Sequence, residues 1–219
     1  GGQVRFVHQL IQEYFAASAW QVRFERGDDL RQYWPDGWMT LTGWEETAVL
    51  LAGMLPDMTA FVEALLPVNP RLAARCIAES GGKRPAEAVV AKVQKTLESV
   101  ATRLAGPAKE RNAAGNALNI LGDPRTGVGV KNGLPDIVWC AVPAGEFLMG
   151  NTEELEGKAH YDETPMHRAI LDHYAISKYP ITNEQYQAFI EDDGHRQPRH
   201  LGGDFNLANH PVVGVSWYE

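Results

Sequence analysis

Only two of the 219 residues are cysteines, Cys76 and Cys140, so no disulfide framework is available to staple a loop-rich fold. That scarcity suits a reducing compartment, and a cytoplasmic location is expected. No run approaches the roughly 18 uninterrupted apolar residues of a membrane span, which sets a helical membrane protein aside. No basic stretch followed by an apolar one opens the sequence, so no secretory signal is visible in it. Neither half carries the basic stripe that a phosphate backbone requires, so no nucleic-acid partner is expected. A P-loop is also missing. Gly82-Lys83 runs into Arg84-Pro85, with no glycine at the upstream spacing that would offer backbone N–H groups to a phosphate. Gly127-Val128-Gly129 has no strand before it and reads as a flexible linker, not a dinucleotide loop.

The remaining composition, 44% hydrophobic and 22% charged, is that of a globular chain able to bury a core. Its net charge of −8 is unevenly spread. Residues 1–134 balance at +1 and residues 135–219 at −9, a break that places two domains on either side of a junction near 122–136. The sequence opens on Gly and closes on Ser216-Trp217-Tyr218-Glu219 without a cap or polar tail, and is expected to be a fragment of a longer polypeptide.

Through residue 121 the apolar residues keep helical spacing. Val7, Leu10, Ile11, Tyr14 and Phe15 predict one buried face on a first helix. Trp44, Ala48, Leu51 and Leu55 predict a second, ended by Pro56, and Phe61, Val62, Leu65 and Leu66 a third, closed by Pro67. Asn69-Pro70 supplies an N-cap and a proline at the first helical position for a fourth helix, which carries Leu72, Cys76 and Ile77 and stops at Gly81-Gly82. Val89, Val93, Leu97, Val100 and Leu104 mark a longer one from Pro85 to about Ala105. The last runs from Pro107 to Leu121, with Ala114, Leu118 and Leu121 inward and Gly122 as its stop. The expectation is an all-α helical array without a countable repeat.

Residues 122–136 hold four glycines and two prolines and are expected to be a linker. Period-two patterning follows. Ile137–Val142 is a β-branched apolar run, and Glu146–Gly150 is its expected hairpin partner. Arg168–Leu171 and His173–Ser177 are further strand candidates. Thr182 with Gln185 forms a capping box for a helix that buries Tyr186, Phe189 and Ile190 and ends at Gly194. His210 to Trp217 reads as a last strand.

Several segments resemble known families. Phe6-Val7-His8 followed by Gln12-Glu13-Tyr14-Phe15-Ala16-Ala17 is similar to the Phe-x-His-x-x-x-Gln-Glu-Tyr-Phe-Ala-Ala signature of NACHT-type STAND NTPases, where it lies in the helices after the nucleotide-binding core. Residues 44–79 look like the helical sensor segments of such proteins. The second half resembles the formylglycine-generating-enzyme-like (sulfatase-modifying factor) family in four ordered motifs. These are Val142-Pro143-Ala144-Gly145-Glu146-Phe147-Leu148-Met149-Gly150, Asp162-Glu163-Thr164-Pro165-Met166-His167, Ile176-Ser177-Lys178-Tyr179-Pro180-Ile181-Thr182-Asn183-Glu184-Gln185-Tyr186 with Phe189, and Pro211-Val212-Val213-Gly214-Val215-Ser216-Trp217. Leu121–Arg125 and Gly133–Ile137 resemble the junction found where this domain follows STAND helices.

The resemblance implies an α+β chain. Residues 1–121 would be the all-α post-NACHT region, 122–136 a linker, and 137–219 the N-terminal half of an incomplete C-type-lectin-like domain. It implies a multidomain bacterial parent whose family chemistry is the oxygen-dependent conversion of a sulfatase cysteine to formylglycine. Relatives include iron-dependent sulfoxide synthases and domains that serve only for binding. The paired cysteines of that chemistry suit Cu(I) and lie in the family's second half, so the chain as it stands is expected to be non-catalytic. No catalytic, cofactor or metal residue is assigned. No cofactor is expected in this stretch, copper or calcium belonging to a complete domain. The alternative reading is a ligand- or protein-binding sensor module of a STAND-type signalling NTPase. A protein or peptide partner is expected, and no membrane.

Individual side chains receive bland readings beside sharper ones. Cys140 and Cys76 are expected as small buried hydrophobes. His160, Asp162, Glu163 and His167 fall within eight positions and include metal-ligand types, yet lack helical His-x-x-x-His spacing, so structural hydrogen bonding is expected. His195 and His200 flank Arg196, Pro198 and Arg199 in an expected solvated turn, and Glu191-Asp192-Asp193, which opposes the macrodipole at a helix C-terminus, reads as an exposed acidic turn, with a calcium or partner contact as the sharper alternative. A segment 135–219 on its own, with exposed sheet edges and an unburied Trp217, is expected to be marginally stable, with little cooperativity in urea.

Overall fold

The computed structural model describes residues 8–81, 84–151, 161–198, 206–216 and 218. Phe6, Val7, Gly82, Lys83, His160, Arg199, His200 and Trp217, singled out above, lie outside the described residues. The architecture is α+β: a helical region followed by a small sheet-containing one.

Among the described residues six α-helices occupy the first region: α1 (Gln9–Glu25), α2 (Glu45–Met54), α3 (Thr59–Leu65), α4 (Pro70–Glu79), α5 (Glu87–Thr102) and α6 (Ala108–Leu121). Helix α4 sits at the centre and packs against α2, α3, α5 and α6. Its start follows from sequence: the Asn69 side chain accepts from the Leu72 N–H at 3.0 Å while Pro70 occupies the first turn. One contiguous core runs from Ala17 to Leu121 and includes wholly buried Leu51, Phe61, Leu65, Val93, Leu97 and Leu118. At one end lies an aromatic cluster, with Trp20 4.5 Å from Tyr33 and meeting Phe61 edge-on at 5.8 Å.

Helix α1 departs from expectation. Leu10, Ile11, Tyr14 and Phe15 are exposed, and Ala17 and Trp20 are the residues it buries. Five residues separate Phe15 from Trp20, which at 3.6 residues per turn places them about 140° apart around the axis. The sequence offers two apolar faces, and the face whose indole fits the aromatic cluster packs inward.

Among the described residues six short strands follow: β1 (Val130–Lys131), β2 (Leu134–Pro135), β3 (Trp139–Val142), β4 (Gly145–Met149), β5 (His167–Leu171) and β6 (Tyr174–Ser177), then helix α7 (Asn183–Asp193). The expected hairpin between β3 and β4 does not form. β4 pairs antiparallel with β5, Gly145 opposite Leu171 and Met149 opposite His167, while β3 pairs antiparallel with β6, Trp139 opposite Ser177 and Val142 opposite Tyr174. The reason is Pro143. A two-residue hairpin needs a positive φ at its first central position, and the pyrrolidine ring forbids one. β3 must therefore seek a distant partner.

Residues 130–135, expected within a linker, form a tight hairpin instead. Val130 faces Pro135 and Lys131 faces Leu134, and the connecting Asn132 and Gly133 have φ of 54° and 79°. Two successive positive φ values are those of a type I′ turn, for which Asn-Gly is the favoured pair. Of the expected last strand, 210–217, the described residues form one bridge, between Thr182 and Pro211, supported by the Val212 N–H to Ile181 O at 2.9 Å. Pro211 has no N–H to extend the ladder. Both β-ribbons leave large apolar side chains in solvent, including Trp139, Leu148, Met149, Ile170 and Ile176. Among the described residues no helix is long and apolar enough to cross a membrane.

Candidate functional site

A concavity of the second region is organised by the first turn of α7. The capping box forms as its spacing predicts: the Thr182 Oγ1 accepts from the Gln185 N–H and the Thr182 N–H donates to Gln185 Oε1. Both side chains then reach outside the helix. Thr182 Oγ1 donates to Val128 O at 2.7 Å, and Gln185 Nε2 points at the carbonyls of Asp136 (2.7 Å), Gly127 and Gly129 (both 3.3 Å). Three consecutive carbonyls, 127 to 129, thus face α7. A segment that presents carbonyl oxygens repels phosphate, and Gly127–Gly129 is a docking segment, not a flexible linker. Asp136 completes the join by accepting from the Gly127 N–H at 2.8 Å and from Lys131 Nζ at 2.8 Å. Those two contacts hold its carboxyl below the ordinary carboxylate range, Lys131 contributing most.

Against this support lies a groove of about 720 Å³ between α7, the β1–β2 hairpin and residues 206–208. Glu184, Glu191 and Asp192 bring three carboxylates to it, and Asn183, Gln187 and Asn206 bring amides. Val130, Gly133 and Ala208 supply its small apolar surfaces. Among the described residues the groove has carboxylates but no cysteine, histidine or serine, so it can attract a cation and donate hydrogen bonds. It holds no nucleophile paired with a base.

The other candidate residues fall elsewhere. Asp162 and Glu163 form a 3-10 turn, and His167 starts β5 with Nδ1 3.0 Å from Pro165 O. Among the described residues, no three His, Cys, Asp or Glu side chains come together as a metal site. The motif instead packs backbone on backbone. The Asn151 N–H donates to Glu163 O at 2.7 Å, and Gly150, at φ 93°, is so close that a Cβ would lie 2.6 Å from that oxygen. Only glycine fits there. His195, expected in a solvated turn, folds back on α7, its ring 5.2 Å from Phe189 and its Nδ1 3.9 Å from Asp193. Glu191, Asp192 and Asp193 are exposed. Cys76 is buried, and burial pushes its thiol well above the ordinary range. Cys140, expected to be buried, is exposed, because the β3–β6 ribbon has no layer over it among the described residues.

Sequence reading missed the long-range contacts made by residues 206–212. Asn209 and His210 reach back to α6 and its stop: Asn209 Nδ2 donates to Gly115 O and Asp123 Oδ2, both at 2.8 Å, and His210 Nε2 is 2.7 Å from Asn116 Oδ1. No spacing rule signals these contacts, which join residues more than 80 positions apart. Asp123 also binds Arg125 through both carboxylate oxygens, Nε at 2.9 Å and the terminal nitrogen at 2.5 Å. Burial alone would raise the Asp123 carboxyl, but the donors from Arg125 and Asn209 outweigh it and hold it low.

A family match falls within this second region. Residues 130–219 match the family of the sulfatase-modifying factor enzyme 1-like domain. A stretch covering 35% of the chain is 30% identical to 14% of the serine/threonine-protein kinase pkn1 of Chlamydia pneumoniae. A stretch covering 38% is 32% identical to 21% of the hercynine oxygenase of Mycolicibacterium smegmatis. A third, covering 36%, is 32% identical to 20% of the uncharacterized protein YfmG of Bacillus subtilis. The chain thus spans about a fifth or less of the length of these curated relatives. The match begins at the Asn132-Gly133 hairpin, takes in the groove, and leaves the six helices outside, so residues 130–219 carry a sulfatase-modifying factor enzyme 1-like domain joined to a preceding helical region.

Proposed function

We propose that this chain belongs to a larger bacterial signalling protein in which post-NACHT helices of a STAND-type NTPase carry a C-type-lectin-like recognition domain, and that the domain binds rather than modifies its partner. The partner is a protein or peptide segment bearing lysine or arginine. One observation carries this reading: among the described residues the groove beside α7 gathers three carboxylates and three amides, with no cysteine, histidine or serine. The domain's sharp negative balance, −9 over residues 135–219, draws a cationic segment toward it.

The competing reading is formylglycine synthesis. It needs two thiols together for Cu(I), which the family carries in its second half; the two cysteines of this chain lie apart, Cys76 sealed in the helical core and Cys140 exposed on β3. Two measurements separate the readings. Fluorescence anisotropy with a lysine-rich and a glutamate-rich peptide of equal length should detect only the lysine-rich one, with binding weakened at least tenfold in a Glu184→Gln, Asp192→Asn double variant. Equal affinity for both peptides would sink the proposal. Incubation with Cu(I), oxygen and a cysteine peptide should yield no aldehyde, and aldehyde formation would establish the enzyme reading.

A further inference from the structure

We propose that residues 206–212 are a coupling strap, which ties the helical region to α7 so that helices and second domain open and close as one body. The strap divides its bonding groups between two clients. Its backbone serves α7: His210 O accepts from the Asn183 N–H at 2.8 Å, Ala208 O from the Glu184 N–H at 2.9 Å, and Leu207 O from Asn183 Nδ2 at 2.8 Å. A helix start leaves its first N–H groups without intrahelical partners, so the strap acts as an external cap on α7. Its side chains, with the Asn209 N–H, serve α6 and the residues just after it: Asn209 Nδ2 to Gly115 O and Asp123 Oδ2, His210 to Asn116 Oδ1, and the Asn209 N–H to Asn119 Oδ1 at 3.3 Å.

Neither client can move far without breaking bonds to the other. The path extends in both directions. Gln94 of α5 donates to Gly122 O at 2.9 Å, next to Asp123, and Asp123 grips Arg125, whose guanidinium lies 5.9 Å over the Tyr179 ring just beyond β6. The strap also walls the groove through Asn206 and Ala208. The coupling itself is a property of the chain without any ligand, so its test stands apart from the binding proposal.

Hydrogen exchange of the whole chain tests this. Asn116→Ala with Asn119→Ala removes partners on α6 alone and touches neither α7 nor the groove. If the strap couples the two, the amides of Asn183 and Glu184 exchange about tenfold faster in this variant, as expected for loss of roughly one net hydrogen bond, while α2–α4 amides keep their protection. Unchanged exchange at Asn183 and Glu184 would overturn the proposal. A second pair guards against a folding defect. Asn209→Asp sets two carboxylates together and should accelerate the same amides, and adding Asp123→Asn, which restores a donor opposite position 209, should slow them again. A double variant no slower than Asn209→Asp alone would equally overturn it.

Discussion

Glu45 is kept almost wholly from water at the start of α2, where its carboxylate meets the Gly43 N–H (2.9 Å), the Thr42 N–H (3.0 Å) and Trp34 Nε1 (3.1 Å). Burial by itself would raise the Glu45 carboxyl, but these donors together outweigh it and the group is held below its ordinary range. The folded state therefore binds its proton less readily than the unfolded chain. The stabilisation is fully present above the ordinary carboxyl value, about 4.3, and drains away as pH falls through the lower folded value. Glu45→Gln keeps the shape but turns an amide NH2 toward donors, and should cost about 2 kcal/mol in urea unfolding at pH 7. The gap between wild type and variant should narrow below about pH 4. A gap independent of pH would show that the charge plays no part. The thiols make a second residue-scale prediction. Native chain should release about one equivalent from a disulfide reagent promptly, Cys140→Ser should abolish that phase, and Cys76 should react only after denaturation.

At the scale of elements, α7 and the backbone it collects hold the second domain together. Gln185→Ala removes donors to Gly127, Gly129 and Asp136, and should lower protection of the 127–136 amides with a loss of about 2 kcal/mol. Gln185→Glu should be worse, because a carboxylate would face three carbonyl oxygens with no proton to give. Similar effects of the two variants would show that Gln185 matters for packing alone. The capping box of α7 and the Asn69-Pro70 start of α4 were legible because capping is local, set by residues three apart. The Asn132-Gly133 turn was equally local, a hairpin signal between Val130-Lys131 and Leu134-Pro135, hidden by reading glycines and prolines as a linker. The strand pairing was not legible, since Pro143 excludes the near partner without naming the distant one.

The whole molecule is unequal in its two parts. Nearly all buried apolar side chains belong to residues 17–121, whereas Val128 and Tyr186 are the buried apolar residues beyond them among the described residues. The apolar run 137–142 and the alternation of 146–150 predicted strands, and strands formed, but period two cannot say whether anything covers a face. For the same reason the first helix was found while its buried face was misassigned. The ribbons should therefore bind a hydrophobic dye in the native state. Leu148→Lys with Ile170→Lys should reduce the fluorescence markedly without shifting the helical melt. Undiminished dye binding would place the apolar surface on α1 instead.

The order of strand pairing fixes an order of assembly. β4–β5 lies inside β3–β6 along the chain, so bringing Val142 to Tyr174 before Met149 has met His167 would close a long, slack loop. Once the inner ribbon has zipped, its ends deliver β3 and β6 to each other and the outer closure costs little. Weakening β4–β5 should thus retard formation of both ribbons, whereas weakening β3–β6 should leave the inner one to form at its own pace.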